Sequence, residues 1–181
     1  MEMNTRHAML DSQLAARKLA VRNVAGDGNC LFRSACYEAY GDESRHLELR
    51  GAVVEHIRKE KAAVCAQFAL SDKDYDSVLS SLATPGVSAD EHAVWALPDV
   101  LNRGVAIHIA YGEPQILVPT SSVNVGNPIQ LAFYDGLRGG TGHYKAVHWA
   151  KPLSSGTGAP TGNAGSTADD LTLRHQLIES N

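Results

Sequence analysis

Gly26-Asp27-Gly28-Asn29-Cys30-Leu31-Phe32-Arg33 decides how the chain is read, because it sets a cysteine where a tight turn becomes a helix. The glycines and Asn29 suit a turn that visits positive φ. Leu31, Phe32, Ser34, Ala35, Tyr37 and Ala39 read as a helix with Cys30 in its first turn. The unpaired amides and positive dipole end of such a helix favour an anion on sulfur. This matters because a thiol attacks only as its thiolate, and a free thiol with a pKa of about 8.5 is mostly protonated at neutral pH. Far downstream, His143 in Gly142-His143-Tyr144 supplies a candidate general base. Nucleophile and base together predict a cysteine hydrolase.

Working outward from the turn, residues 9–21 place Met9, Leu10, Leu14 and Leu19 at helical spacing, and residues 19–24 run extended into the turn. The nucleophile is therefore expected where a strand meets a helix. A long helix is predicted over 44–68, where Leu47, Leu49, Val53, Val54, Ile57, Val64 and Phe68 alternate with Glu48, Arg50, Glu55, Arg58, Lys59 and Glu60. A shorter helix over 72–82 is broken by Thr84-Pro85-Gly86, and 89–102 is again helical up to Arg103-Gly104. Short β-branched runs follow at 105–111, 115–118, 129–134 and 144–149, separated by turn residues, as in an antiparallel sheet. Helices first and strands afterwards predict an α+β fold.

At 181 residues and 44% hydrophobic, the chain suits one sizeable core. The expected organisation is a catalytic domain over 1–151, a flexible Ser/Gly/Thr/Ala/Pro linker over 152–168, and a short helix or the start of a further segment over 169–181. No apolar run approaches membrane-spanning length, and the first residues lack the apolar stretch of a secretory signal. Cys30, Cys36 and Cys65 form neither an even disulfide framework nor a Cys-x-x-Cys pattern, so a reducing, cytosolic compartment and no metal are expected. Cys36 and Cys65, on predicted helices in apolar company, read as buried small hydrophobes. A formal charge of −4 with dispersed basic residues excludes a nucleic-acid footprint and favours a neutral or basic protein partner.

The block 26–33 with the late His143-Tyr144 resembles the two signature blocks of the ovarian tumour (OTU) family of deubiquitinating cysteine proteases. Leu49-Arg50 at the start of the long helix, and Trp95-Ala96-Leu97 ahead of Asn102 and the strand 105–111, are similar to the family's intermediate segments, so the resemblance covers roughly 19–149. It implies a papain-like α+β fold with a largely antiparallel central sheet packed by helices. It also implies cleavage of the isopeptide bond after the ubiquitin C-terminal glycine, with no metal or cofactor. Carried over residue by residue, Cys30 is the nucleophile and His143 the general base, and the backbone of Asp27, Gly28, Asn29 and Cys30 holds the oxyanion. The implied partners are ubiquitin and polyubiquitin chains, met by a monomer without nucleic acid or membrane.

Two departures bear on the site. The family usually carries Asp or Asn two residues after the histidine, where this chain has Lys145, and an ammonium cannot accept the imidazole N–H bond that orients a base. Asp27 is the expected orienting carboxylate, with Asp135 and Asn124 as fallbacks. Val87-Ser88-Ala89-Asp90-Glu91 stands where the family often has Trp-Gly before acidic residues. Asp90, Glu91 and Tyr144 are expected to touch substrate, with Asp72, Asp74 and Asp76 as further acidic groups able to meet a basic surface. Leu137-Arg138-Gly139-Gly140 spells the ubiquitin tail and reads as a coincidence of a glycine-rich loop. The competing readings are an inactive OTU-like ubiquitin-binding module, and a cysteine endopeptidase for a polyprotein or another ubiquitin-like modifier.

Overall fold

In the computed structural model, which describes residues 2–121, 127–136 and 142–150, the nucleophile turn connects an edge strand to the central helix. The described elements run α1 (Glu2–Ala16), β1 (Leu19–Arg22), α2 (Cys30–Tyr40), α3 (His46–Lys59), α4 (Lys61–Phe68), α5 (Asp72–Ala83), α6 (Glu91–Leu101), β2 (Val105–His108), β3 (Gln115–Leu117), β4 (Ile129–Tyr134) and β5 (His143–Trp149). The expected segments 122–126, 137–141 and 151–181, and with them the linker, the C-terminal helix, Asn124 and the Leu137 to Gly140 sequence, lie outside the described residues.

The sheet order is β1-β5-β4-β2-β3. Three pairings are antiparallel, as the sequence predicts, and β2 with β4 is parallel. The reason is topological. β3 returns beside β2 on the outer edge, so β4 can join only on the other side of β2, which it must enter running the same way. The start of β4 is pinned there by the Ile129 amide donating to the Gly104 carbonyl at 2.9 Å and by Arg103 Nε donating to the Asn127 carbonyl at 2.6 Å.

Alternation along β4 divides the core into two layers. Ile129 and Leu131 face α2 and α3, where Phe32, Ala35, Cys36, Val53 and Ile57 are fully enclosed. Ala132 and Tyr134, with Val147 of β5, face Leu10 and Leu14 of α1. At roughly 25 cal/mol per Å² of buried apolar surface, each such large side chain contributes about 1.5–3 kcal/mol. Cys36 has no exposed surface and burial pushes its thiol up to about 12, which fits a small hydrophobe and not a reactive group. No helix among the described residues is long and apolar enough to cross a membrane.

The single helix predicted over 44–68 is two helices. Glu60 closes α3 and opens α4 with φ −96° and ψ 26°, outside helical values. The charged run Arg58-Lys59-Glu60-Lys61 supplies no apolar anchor to hold a straight helix on the core, while Val64 beyond it is completely buried. A change of direction at Glu60 reconciles the two.

Glu38 of α2 is half-buried, and that burial pushes its carboxyl from the usual 4.5 up to about 7, against the pull of Arg103. The native state therefore binds this proton more tightly than the unfolded chain, and stability falls as pH rises from 4.5 to about 7. Glu38→Gln is expected to match the wild-type melting temperature near pH 4 and to exceed it at pH 8. The gain should be on the order of 1–3 kcal/mol, since the group is partly solvated. Calorimetric melts across that pH range check it, and a variant that melts lower at pH 8 contradicts it.

Candidate active site

The turn before α2 is shaped by a close backbone approach. Gly28 sits at φ +78°, and a Cβ there would overlap the Gly86 carbonyl, so only glycine fits. Asn29 follows at the N-cap of α2 and is 6% exposed, but its side chain makes no capping bond. Its Oδ1 accepts the Gly86 amide at 3.2 Å and its Nδ2 donates to the Asp27 carbonyl at 3.5 Å. A residue type that ordinarily satisfies the first amides of a helix is thus diverted to a neighbouring loop. The N-terminus of α2 keeps its positive character at the residue that needs it, Cys30.

Cys30 opens α2 and is 7% exposed. It lines a groove of about 630 Å³ together with Asp90, Glu91, Phe133, Asp135 and Tyr144. The structure therefore brings Cys30, the expected nucleophile, and all three expected substrate-contacting residues onto one groove. Burial pushes the Tyr144 hydroxyl up to about 12, with the acidic neighbours adding to it, so it stays a neutral donor. Gly142 also lines the groove, and a Cβ on it would overlap the Phe133 ring, so a side chain just before His143 would have to displace that ring.

His143 is the first residue of β5, paired with Tyr134. Its ring lies against Gly26, where a Cβ would be 3.9 Å from Cε1 and 4.0 Å from Nδ1. The Val24 backbone lies near the ring and favours its protonated form. Burial lowers the pKa of His143 and the Lys145 ammonium lowers it further, against the Val24 carbonyl, which favours the protonated ring. Lys145 itself lies over the Tyr134 ring, 4.0 Å from its centroid. Ser34, one turn beyond Cys30 and fully buried, donates from Oγ to the Tyr144 carbonyl at 3.2 Å. That bond ties the helix that begins at Cys30 to the strand that begins at His143.

Asp27 is placed differently from the sequence expectation. Its carboxylate accepts the Asn29 amide at 3.0 Å and the Arg33 guanidinium, at 3.2 Å from Nε and 2.7 Å from Nη2. Arg33 foremost holds the carboxyl well below the usual carboxylate range. Asp27 braces the turn across the first turn of α2, and the backbone group that acts on the His143 ring is that of Val24. The fallback Asp135 pairs with Arg6 of α1 at 2.8 Å. Asp72 pairs with Lys61 at 2.7 Å and Asp74 engages Ser71 at the start of α5, away from the groove lining.

Asp90, Glu91 and His92 offer ligand atoms within 4.8 Å of one another. Asp90 Oδ1 already caps α6 by accepting the His92 amide at 3.1 Å, and a helix N-terminus repels a cation, so the geometry is that of a cap. Sequence reasoning missed Val24, Ser34 and Gly86, which act through backbone or through one hydroxyl. Arg50 was placed among the solvent-facing residues of its helix, and a signal was available. It stands three, four and seven positions before Val53, Val54 and Ile57, on the apolar face, and is 2% exposed.

Residues 22–108 match the family described as vertnin, OTU domain. The chain is 24% identical over 149 residues to the Arabidopsis thaliana "OVARIAN TUMOR DOMAIN-containing deubiquitinating enzyme 7", a match that covers 82% of this chain and 38% of the relative. Across the curated relatives it matches, the chain spans between 11% and 38% of their length. Its fold superposes on the OTU domain of OTUD1 with a TM-score of 0.64 at 22% identity, covering 81% of this chain and 96% of that one. It also superposes on an ovarian tumour domain solved in complex with ubiquitin, with a TM-score of 0.55 at 18% identity, covering 88% and 84%. The cysteine turn, the α+β architecture and these likenesses agree: the chain has the OTU fold, and residues 22–108 match an OTU-domain family.

Proposed function

We propose that this chain is a cysteine-dependent deubiquitinase that hydrolyses the isopeptide bond after the ubiquitin C-terminal glycine. The observation that carries this reading is Cys30 at the uncapped N-terminus of α2, on a groove lined also by Gly142 and Tyr144, the two chain neighbours of His143. The Cys30 thiolate attacks the scissile carbonyl, and the resulting oxyanion is held by backbone amides of the 27–30 turn. Collapse forms a thioester and releases the lysine amine, which takes its proton from the His143 imidazolium. His143 then removes a proton from water as that water attacks the thioester, and ubiquitin leaves with a free carboxylate while Cys30 recovers its thiol.

In this reading the Val24 carbonyl does the orienting that a carboxylate does elsewhere. It fixes the tautomer, but as a dipole it stabilises the imidazolium less than a full negative charge does. Asp90, Glu91 and Asp135 make the groove wall acidic, complementary to the arginines of a ubiquitin tail. The residues after 151 are proposed as a linker and a further segment outside the catalytic domain. Lys145, which disfavours the imidazolium, is the one feature that favours an inactive ubiquitin-binding module.

Ubiquitin bearing a C-terminal electrophile distinguishes the readings. It is expected to add one ubiquitin mass to the wild type, with peptide mapping at Cys30, and none to Cys30→Ala, while Cys36→Ala and Cys65→Ala label normally. A wild type that binds ubiquitin without being labelled indicates the inactive module.

Asp27→Asn tests the bracing role. It removes the charge that Arg33 holds and is expected to lower the melting temperature and slow turnover. The pH dependence of Cys30 alkylation by iodoacetamide should stay close to that of the wild type, because His143 keeps its Val24 partner. A marked alkaline shift of that profile would return Asp27 to the orienting role.

A further inference from the structure

Arg50 of α3 is a buried cation that the catalytic steps above leave unused. Its guanidinium is spread over backbone carbonyls from two separate segments. Nη2 donates to Gly28 at 2.8 Å and to Val87 at 2.7 Å, and Nη1 donates to Leu82 at 2.8 Å and Thr84 at 3.1 Å. The Phe32 ring lies 4.5 Å from its central carbon. A buried charge is costly unless its donors are satisfied; four carbonyl dipoles and an aromatic face serve the two terminal nitrogens, while Nε is buried without a hydrogen-bond partner.

The carbonyls it gathers matter for the site. Gly28 is in the turn that presents the oxyanion amides, and Val87 immediately precedes Ser88 and Ala89, which line the groove. The same two segments meet again where Gly28 abuts the Gly86 carbonyl and where Asn29 accepts the Gly86 amide. Leu82 is in the last turn of α5, but residues 26–29 and 84–87 lie outside every helix and strand, so their mutual register rests on these few contacts.

We propose that Arg50 is a positioning residue for the reaction: its guanidinium fork clamps the 26–29 turn to the 84–87 loop and so fixes the oxyanion amides relative to Cys30. This rests on the cysteine-hydrolase reading above. Burial disfavours the Arg50 charge, while Asp27 and Cys30 favour it. Lysine cannot replace it, since a single ammonium has three donors on one point and no planar fork to span four carbonyls.

Two variants separate geometry from charge. Arg50→Lys keeps the charge and loses the fork, and Arg50→Met loses both. Each is checked for folding by its melt. For folded Arg50→Lys, kcat on ubiquitin with a C-terminal fluorogenic amide is expected to fall about ten- to a hundredfold, the scale of a small misplacement of reacting groups. Amide hydrogen exchange should accelerate in both 26–30 and 84–88, and the pH profile of Cys30 alkylation should stay near that of the wild type. Arg50→Met, which loses the fork as well, should lower kcat at least as far. Wild-type kcat in folded Arg50→Lys, or unchanged exchange in either segment, overturns the proposal. If the wild type turns over no ubiquitin substrate, it is the hydrolase reading that fails. The clamp is then judged by exchange in Arg50→Lys, where acceleration in both segments upholds it and protection in either one overturns it.

Discussion

The approach of the Gly28 backbone to the Gly86 carbonyl is the constraint from which the rest of the site follows. With no room for a Cβ and φ at +78°, the chain must turn sharply just before α2. That turn sends the Asn29 side chain to Gly86 rather than to the helix it precedes, and it folds the Asp27 carboxylate back onto the Asn29 amide and Arg33. The helix is left without its usual side-chain cap at the residue where an uncapped end is chemically useful. A local loss of capping, worth about 1 kcal/mol in an ordinary helix, becomes stabilisation for an anion on sulfur.

The histidine side is built with less charge. Val24 offers a carbonyl dipole, burial opposes the imidazolium, and Lys145 opposes it again. The electrostatic weight of the site therefore sits on the cysteine side, in the helix end and the Arg50 guanidinium. Lys145 is kept at a distance from neither base nor sheet, since its ammonium rests on the Tyr134 ring, whose partner across the sheet is His143. α1 closes this region from behind, with Tyr134 donating to Asp11 at 2.5 Å and Arg6 paired to Asp135.

Much of this was legible in the residues. The turn, the helix behind it and the strand runs followed from glycine placement and apolar period, and the groove residues Asp90, Glu91 and Tyr144 were named with Cys30 before any geometry. What was not legible has physical causes. The break at Glu60 carries no proline or glycine and depends on where Val64 finds its pocket. The parallel pairing of β2 with β4 is a matter of which side of the sheet is still open, which no strand's own sequence records. The group that acts on the His143 ring is the Val24 backbone, and every residue has one, so no side-chain pattern can point to it. Asp27 was misread for the opposite reason: it is a carboxylate in the right neighbourhood, but Arg33, one turn along α2, claims it first.

The central claim is that Cys30 and His143 form one electrostatic unit despite the missing carboxylate. Histidine-resolved NMR titration of the wild type against Cys30→Ala tests it most directly. If the thiolate and imidazolium stabilise each other, the His143 midpoint is higher in the wild type and falls when Cys30 is replaced, while the other histidines are unmoved. Identical His143 midpoints in the two proteins would contradict the account.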